Sequence, residues 1–344
     1  MHLKAKIFHS GSTDPWFNLA LEDHLVETVS REAAEGVMTV ILYLWQNENT
    51  VVIGRNQNAW TECRTELLEA EGGRLARRST GGGAVFHDLG NLNFSIITPK
   101  SMYETKRSLG IIVEAVNRAG VKAYLSGRND ILAEDLKFSG NAFLVRKEAG
   151  LHHGTLLIDS DHARIARYLN VPKAKLEAKG IKSVRSRIVN LSALREEINV
   201  DLMKELAEQA FTDEYMPDDT ERDVIWYQTN TDGFRELYHK YRSWEWRYGE
   251  SLAFTAVMES FFPWGSLQMC FAVANGVIDD LRIYTDALDS EFFAEMADRA
   301  KGSRFKCSEL TQILETCSET PDIVSVTGNS VKEDIRTFLH EQMK

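Results

Sequence analysis

Arg77-Arg78-Ser79-Thr80-Gly81-Gly82-Gly83-Ala84-Val85-Phe86-His87-Asp88 sets two arginines, two hydroxyls and three consecutive glycines between apolar segments. Adjacent glycines cost stability, because each loses more backbone freedom on folding than any other residue. A chain keeps them where its backbone turns with positive φ or comes very close to something else. The neighbouring arginines point to an anion, since bare N–H groups and guanidinium forks together make a phosphate or carboxylate cradle. A flexible hairpin is the competing account. The run is not a Walker A loop, because no Gly-Lys-Ser/Thr follows, nor a Gly-x-Gly-x-x-Gly turn opening a helix. Ala84 to His87 reads as a strand.

A length of 344 residues suggests about two domains, and 43% apolar residues suffice for a sizeable core. The formal charge of −11, from 51 acidic and 40 basic residues, argues against a general nucleic-acid binder. An anionic substrate would need a local basic site, which Arg74, Arg77 and Arg78 offer. Cys63, Cys270, Cys307 and Cys317 form no Cys-x-x-Cys pair and no zinc spacing. The N-terminal residues show no signal-peptide core. No apolar run approaches the ~20 residues of a membrane span. A soluble, cytoplasmic protein without membrane or nucleic-acid partners is expected.

Leu3 to Phe8 reads as a strand, and Asp14-Pro15 as the cap and first position of a helix carrying Phe17, Leu21, Leu25 and Val29. Strands are expected at 39–45, 50–53, 92–98, 121–125, 131–133, 137–145 and 151–158. Helices are expected at 62–71, 103–119, 161–169, 191–198, 201–212 and 232–242. Chain character changes near Trp244-Glu245-Trp246. Beyond it, Asn275-Gly276 between alternating strands is a type I′ hairpin signal, with helices at 291–300 and over most of 308–343. The expected division is a domain over 1–248, a linker over 249–257 and a smaller α+β domain over 258–344.

Lys137 opens a strand beside Ser139-Gly140, and its compact ammonium suits a carboxylate or an α-phosphate. An edge-strand lysine in solvent is the plainer account of the same residues. His152 and His153 should point to opposite faces of a strand, one lining a site and the other exposed, with a structural or surface pair the plainer account. The segment Lys173, Lys175, Lys179, Gly180, Lys182, Arg185, Arg187 is a local basic patch, suited to a polyphosphate or an acidic partner. It is either a solvated loop or a lid that orders on an anion. Asp130, after Gly127-Arg128-Asn129, offers a carboxylate to Mg²⁺ or simply forms a turn.

The order of these signals is more specific than any one of them. Tyr43-Leu44-Trp45-Gln46, Val51-Val52-Ile53-Gly54-Arg55-Asn56-Gln57-Asn58, the arginine–glycine run, Gly127-Arg128-Asn129-Asp130, Lys137-x-Ser139-Gly140, His152-His153-Gly154-Thr155-Leu156 and Lys179-Gly180-Ile181-x-Ser183-Val184-Arg185-Ser186-Arg187 follow one another. The sequence resembles the bacterial lipoate–protein ligase A family, from the first of these motifs through Ser243-Trp244-Glu245-Trp246 into the C-terminal domain. No motif position departs from the pattern.

The resemblance implies an α+β chain with a biotinyl/lipoyl ligase (BPL/LPL) catalytic domain and a small α+β accessory domain, acting as a monomer. It implies that lipoate and ATP, with Mg²⁺, form lipoyl-AMP and pyrophosphate. The lipoyl group then passes to a lysine on lipoyl domains of 2-oxoacid dehydrogenase acyltransferase subunits and on the glycine-cleavage H protein. Lys137 would bridge the lipoate carboxylate and the α-phosphate as the catalytic residue. ATP would meet Arg78, the backbone at Gly83, Ala84, Val85 and Phe86, and a second loop at about Ala178 to Arg185. In that loop the candidates are Lys179, Gly180, Lys182, Ser183, Val184 and Arg185. Lipoate would lie against Trp45 and His87, under Arg78, Ser79, Gly81 and Gly82. The strands carrying Ser139, Gly140, His152, Gly154 and Thr155 would complete its site.

Three rivals remain on the sequence. An acyltransferase of the same fold with a cysteine nucleophile would need a thiol near Lys137 or His152, and none is adjacent in sequence, but a transferase accepting preformed lipoyl-AMP would keep the same motifs and differ only in releasing no pyrophosphate from ATP. A biotin ligase would carry a Gly-Arg-Gly-Arg-type loop, which is missing. A non-catalytic docking module would have no use for Lys137 and the arginine–glycine loop.

Overall fold

The computed structural model describes residues 2–127, 129–170, 188–225, 232–248, 256–320 and 331–343. At its centre, β1 (Leu3–Ser10) and β2 (Met38–Trp45) run parallel, joined by α1 (Pro15–Ala34). The Asp14 carboxylate accepts from the Trp16 amide at 3.0 Å and Pro15 follows the cap, as the sequence announced. Beyond β2 the sheet continues through β6 (Asn91–Pro99), β10 (Ala149–Leu157), β9 (Leu136–Val145), β8 (Asp130–Ala133) and β7 (Ala123–Ser126). Every pair in that half is antiparallel. On the other side of β1 lies β11 (Asp219–Ile225), parallel and unforeseen, because its sequence DTERDVI is too polar to read as a strand.

The sheet is covered on both faces. One face carries Val40, Leu42, Phe94 and Ile96 under α4 (Thr105–Arg118) and α7 (Val200–Tyr215). The other carries Ile41 and Tyr43 under α1 and α8 (Asp232–Arg242). Between these helices α6 is short (Leu191–Leu194), so the helix expected over 191–198 stops early. A small second sheet orders β4 (Arg74–Arg77), β3 (Thr50–Ile53) and β5 (Val85–His87). Thus β2 and β3, adjacent in sequence, are not partners. The helix expected at 62–71 is two pieces, α2 (Ala59–Glu62) and α3 (Thr65–Ala70), interrupted where Cys63 bridges Leu169 next to α5 (His162–Tyr168).

After α9 (Trp244–Tyr248), the C-terminal unit begins with β12 (Ala256–Phe262), whose first residues fall inside the expected linker. β13 (Gly265–Ala274) and β14 (Val277–Thr285) form the expected hairpin, with φ of 53° at Asn275 and 75° at Gly276 as a type I′ turn requires. α10 (Ser290–Ala300), α11 (Cys307–Thr316) and α12 (Val331–Gln342) pack on this sheet around Trp264, Phe271, Phe292 and Phe293. Both units are mixed α and β, as expected. Among the described residues no helix is long and apolar enough to cross a membrane.

The C-terminal unit touches the glycine run directly. The Gly82 amide donates to the Ala287 carbonyl at 2.9 Å, and the Ser290 hydroxyl donates to the Ser79 carbonyl at 3.2 Å. Leu288 is buried in the core of the large domain.

Candidate active site

Strand register builds the site. Trp45 on β2 lies opposite Asn93 on β6, and Asn93 opposite Thr155 on β10. Thr155 in turn lies beside Gly140 on β9, whose amide donates to the Thr155 hydroxyl at 3.2 Å. Two residues along each strand, Tyr43, Ser95, His153 and Ala142 form a second row on the same face. The glycine run and β5 roof these rows. Two adjoining cavities result. The smaller, about 120 Å³, takes Trp45, Arg78, Gly82, Gly83, His87, Asn93, His153 and Gly154 among its walls. The larger, about 510 Å³, takes Phe86, Asp130, Ser139, Leu157, Ile165 and Leu169. Ala84, Val85, Lys137, Gly140 and Thr155 line both.

Lys137 therefore stands at the junction, and it is the only lysine in either wall among the described residues. Its Nζ is 2.7 Å from Asp130 Oδ1, with both side chains little more than one-third exposed. A Cβ on Gly140 would stand 3.0 Å from that Nζ, so glycine there leaves the ammonium its room.

The two arginines behave differently from an open anion fork. Arg77 spends its N–H groups on five backbone carbonyls: Gly54, Arg55 and Gln57 in one turn, and Trp246 and Arg247 of α9. It is a buried cross-brace. Arg78 donates to the Thr80 hydroxyl and to the carbonyls of Val52, Gly81 and Gly83, folding the glycine run onto itself. Burial lowers both guanidinium pKa values to about 10, which still leaves them charged at neutral pH. Arg78 lines the smaller cavity and does not reach the larger.

Thr80 continues a polar chain into the wall. Its hydroxyl is 2.8 Å from His153 Nε2, and His153 Nδ1 is 2.8 Å from Glu22 Oε1. The Ser95 hydroxyl donates to the same Glu22 oxygen and accepts from Trp45 Nε1 at 3.0 Å. Glu22, on the buried face of α1, was missed by sequence reading. Its signal was an acid set among Leu19, Leu21, Leu25 and Val26 on a helix buried nearly all round.

The histidine pair corrects one expectation. His153 faces the smaller cavity, but His152 is not exposed and lines neither cavity. It sits on the core face between the rings of Phe94 and Phe143, with Nε2 at 2.8 Å from Asn141 Oδ1. Burial pushes its pKa down to about 3. Ser79 and Gly81 are also outside both walls. The Ser79 hydroxyl donates to Asp23, and Gly81 packs against the backbone of Ala287 and Leu288. Ser139 and Phe86 line the larger cavity only. Lys179, Gly180, Lys182, Ser183, Val184 and Arg185 lie outside the described residues, as does Arg128.

No cluster of three or more metal-ligating side chains occurs among the described residues. Asp130 and Asp135 line the larger cavity, but Asp130 is paired to Lys137 and Asp135 accepts from the Tyr124 hydroxyl. Such carboxylates fit Mg²⁺ only as an addition to a shell supplied largely by phosphate and water.

Residues 14–212 match the family model of the lipoyl protein ligase A/B catalytic domain, and residues 251–339 match that of the bacterial lipoate protein ligase C-terminus. The chain belongs to the lipoate–protein ligase A family. It is therefore a ligase. A crystal structure of LipL1 of P. falciparum in complex with lipoate is similar over 98% of this chain and 99% of that one, at 27% identity and a TM-score of 0.82. A lipoate–protein ligase A bound with ATP is 25% identical, over 72% of this chain and 99% of that one, with a TM-score of 0.58. A bipartite lipoate protein ligase of Thermoplasma acidophilum, described with its E2 lipoyl domain, is 25% identical over 74% of this chain and 100% of that one, with a TM-score of 0.60.

Proposed function

We propose that this ligase activates lipoate with ATP to lipoyl-AMP and transfers the lipoyl group to a lysine of a lipoyl domain. One observation carries the reading: among the described residues a single ammonium, Lys137, stands where the smaller cavity meets the larger. The smaller cavity takes the acid and the larger takes the nucleotide. Relatives described with lipoate and with ATP support the two ligands.

In the first step a lipoate carboxylate oxygen attacks the α-phosphorus, the bond to the bridging β-phosphate oxygen breaks, and pyrophosphate leaves. Two anions must approach each other. Lys137 lowers that repulsion by donating to both, and the fixed amides at Ala84 and Val85 hold the nucleotide against it. Catalysis of this kind is positioning plus charge stabilisation. When bound, Mg²⁺ would supply further charge on the phosphates, and Asp130 is the carboxylate that would help hold it once Lys137 turns to the substrate. In the second step a lysine amine of the lipoyl domain attacks the acyl carbon. The carbon–oxygen bond to AMP breaks, and the amine proton is lost. An apolar wall of Trp45, Val85 and Ala142 covers one side of the mixed anhydride against water.

The cysteine-nucleophile reading loses its footing here. Cys63 lines neither cavity, lies buried behind Phe86 and Leu169, and burial raises its thiol pKa to about 12. Incubating the protein with lipoate, ATP, Mg²⁺ and a purified lipoyl domain, then weighing the domain by mass spectrometry, tests the proposal. One lipoyl adduct per domain should form, and omitting ATP should abolish it. An ATP-independent adduct, or none, would overturn it. A lipoyl domain of an acyltransferase subunit and the glycine-cleavage H protein are the two acceptors to compare.

A further inference from the structure

The wall of the smaller cavity contains a donor that the protein leaves unused. His87 is 3% exposed, lines the cavity, and its Nε2 has no hydrogen-bond partner. Neighbouring residues fix which ring nitrogen carries the proton. Asn18 Nδ2 donates to the backbone carbonyls of Ser12 at 3.1 Å and Gln46 at 2.9 Å. Carbonyls only accept, so this amide has one orientation. The same Nδ2 meets Asn47 Oδ1 at 2.9 Å, which turns Asn47 Nδ2 toward His87 Nδ1 at 3.1 Å. An amide nitrogen donates, so Nδ1 accepts and the ring proton sits on Nε2. Asn18 and Asn47 are fully buried, and no solvent competes for these bonds. Burial, then the Arg78 charge, drives the His87 pKa down to about 3, so the ring stays neutral.

Its position matters as much as its proton. The His87 ring lies edge-on to Trp45, with centroids 6.1 Å apart. Trp45 is three strands from Gly140, the residue beside Lys137, which at ~4.8 Å per strand is about 14 Å. The His87 ring thus borders the end of the cavity away from the ammonium, with Nε2 itself closed to solvent until a tail opens that end. Resting on the ligase reading above, we infer that His87 is a specificity-determining residue whose Nε2–H bonds an acceptor on the tail of the acid. The dithiolane sulfurs of lipoate are weak acceptors, whereas the methyl end of octanoate has none. A saturated tail would bury the N–H unmet, and a polar group orphaned in this way is the stronger source of discrimination.

Pyrophosphate release with lipoate and with octanoate, in wild type and in His87→Phe, tests this. Phenylalanine keeps the edge contact to Trp45 and removes the donor. The lipoate-over-octanoate ratio of kcat/KM should be on the order of tenfold in wild type and fall toward unity in the variant. A parallel measurement on wild type uses ¹⁵N-histidine NMR without ATP. The free ring should show a protonated Nε2, and lipoate but not octanoate should shift that resonance. An unchanged ratio, a proton on Nδ1, or equal shifts with both acids would overturn the inference. If wild type activates neither acid, the ligase reading falls separately, and the NMR titration still decides the role of His87.

Discussion

Lys137→Ala removes the one charged side chain that both cavities share among the described residues, and its consequences can be sized. A charge-assisted hydrogen bond is worth about 1.5–3 kcal/mol. Donated to a carboxylate and to an α-phosphate, two such bonds amount to about 3–6 kcal/mol. At about 1.4 kcal/mol per decade this is roughly 10²–10⁴-fold in the rate of lipoyl-AMP formation. A further penalty comes from Asp130, which would lose the partner now at 2.7 Å and leave a bare carboxylate facing the phosphates. Pairing the change with Asp130→Asn should therefore recover part of the loss, on the order of tenfold, because two like charges repel at this range. Folding should be little affected. The Lys137–Asp130 pair is one-third exposed on each side, and such pairs contribute about 0–1 kcal/mol. The assay is single-turnover formation of lipoyl-AMP, with the melting temperature measured on the same preparation. Adenylation near the wild-type rate in a normally melting variant would refute the bridging role. An equal loss of melting temperature and rate would make Lys137 structural.

Gly81→Ala should cost about 2–4 kcal/mol by melting, because the new Cβ would stand 2.7 Å from the Leu288 carbonyl carbon and prise Leu288 from its burial. Wild-type melting, with unchanged protease resistance around 285–290, would mean the two backbones do not meet. Stability should fall as the pH drops from about 6.5 toward 3. His87 and His152 have folded pKa values near 3, so the unfolded state binds the extra protons in that window, each worth up to about 1.4 kcal/mol per pH unit. The contribution is fully present above pH 7, and denaturant titrations of His152→Gln should show a shallower acid slope than wild type. Cys63→Ala should retain adenylation within about twofold, since a buried thiol with a raised pKa is inert. A hydroxylamine-labile acyl adduct on wild type, absent from the variant, would reverse that judgement.

The parts that local chemistry dictates were legible in the sequence. Capping at Asp14-Pro15, the Asn275-Gly276 turn and the alternating strands of the C-terminal hairpin each rest on a few neighbouring residues. Lys137 and the glycine run could be singled out because charge and glycine are conspicuous among apolar residues. Features that depend on pairing across the chain were not legible. β11 is a polar strand that exists because β1 offers it a parallel edge. The choice between His152 and His153 turns on register: one residue of slip exchanges the cavity face for the core face. The polar wall was likewise invisible. Glu22 joins His153 across 131 positions, and Asn18 reaches Asn47 across 29. Such contacts appear in sequence only as polar residues where a helix or strand has no solvent to meet.

The three glycines illustrate how one conspicuous motif separates into distinct physical demands. Gly81 is required by approach, since the backbone of the C-terminal unit occupies the place of its side chain. Gly82 has φ of 89°, a left-handed conformation that L side chains resist, and it orients its amide toward the Ala287 carbonyl. Gly83 has neither constraint: a methyl group added there would meet nothing within 4 Å, and the residue borders the smaller cavity. Its lack of a side chain leaves that edge of the cavity open. Arg78 binds these roles together, because its guanidinium holds the carbonyls of Gly81 and Gly83 at 2.6 and 2.8 Å. An arriving anion would have to compete with those carbonyls, so the arginine that looked like a substrate fork is first the clasp of the roof. The charge left facing both cavities is Lys137, which follows from how the arginines are spent.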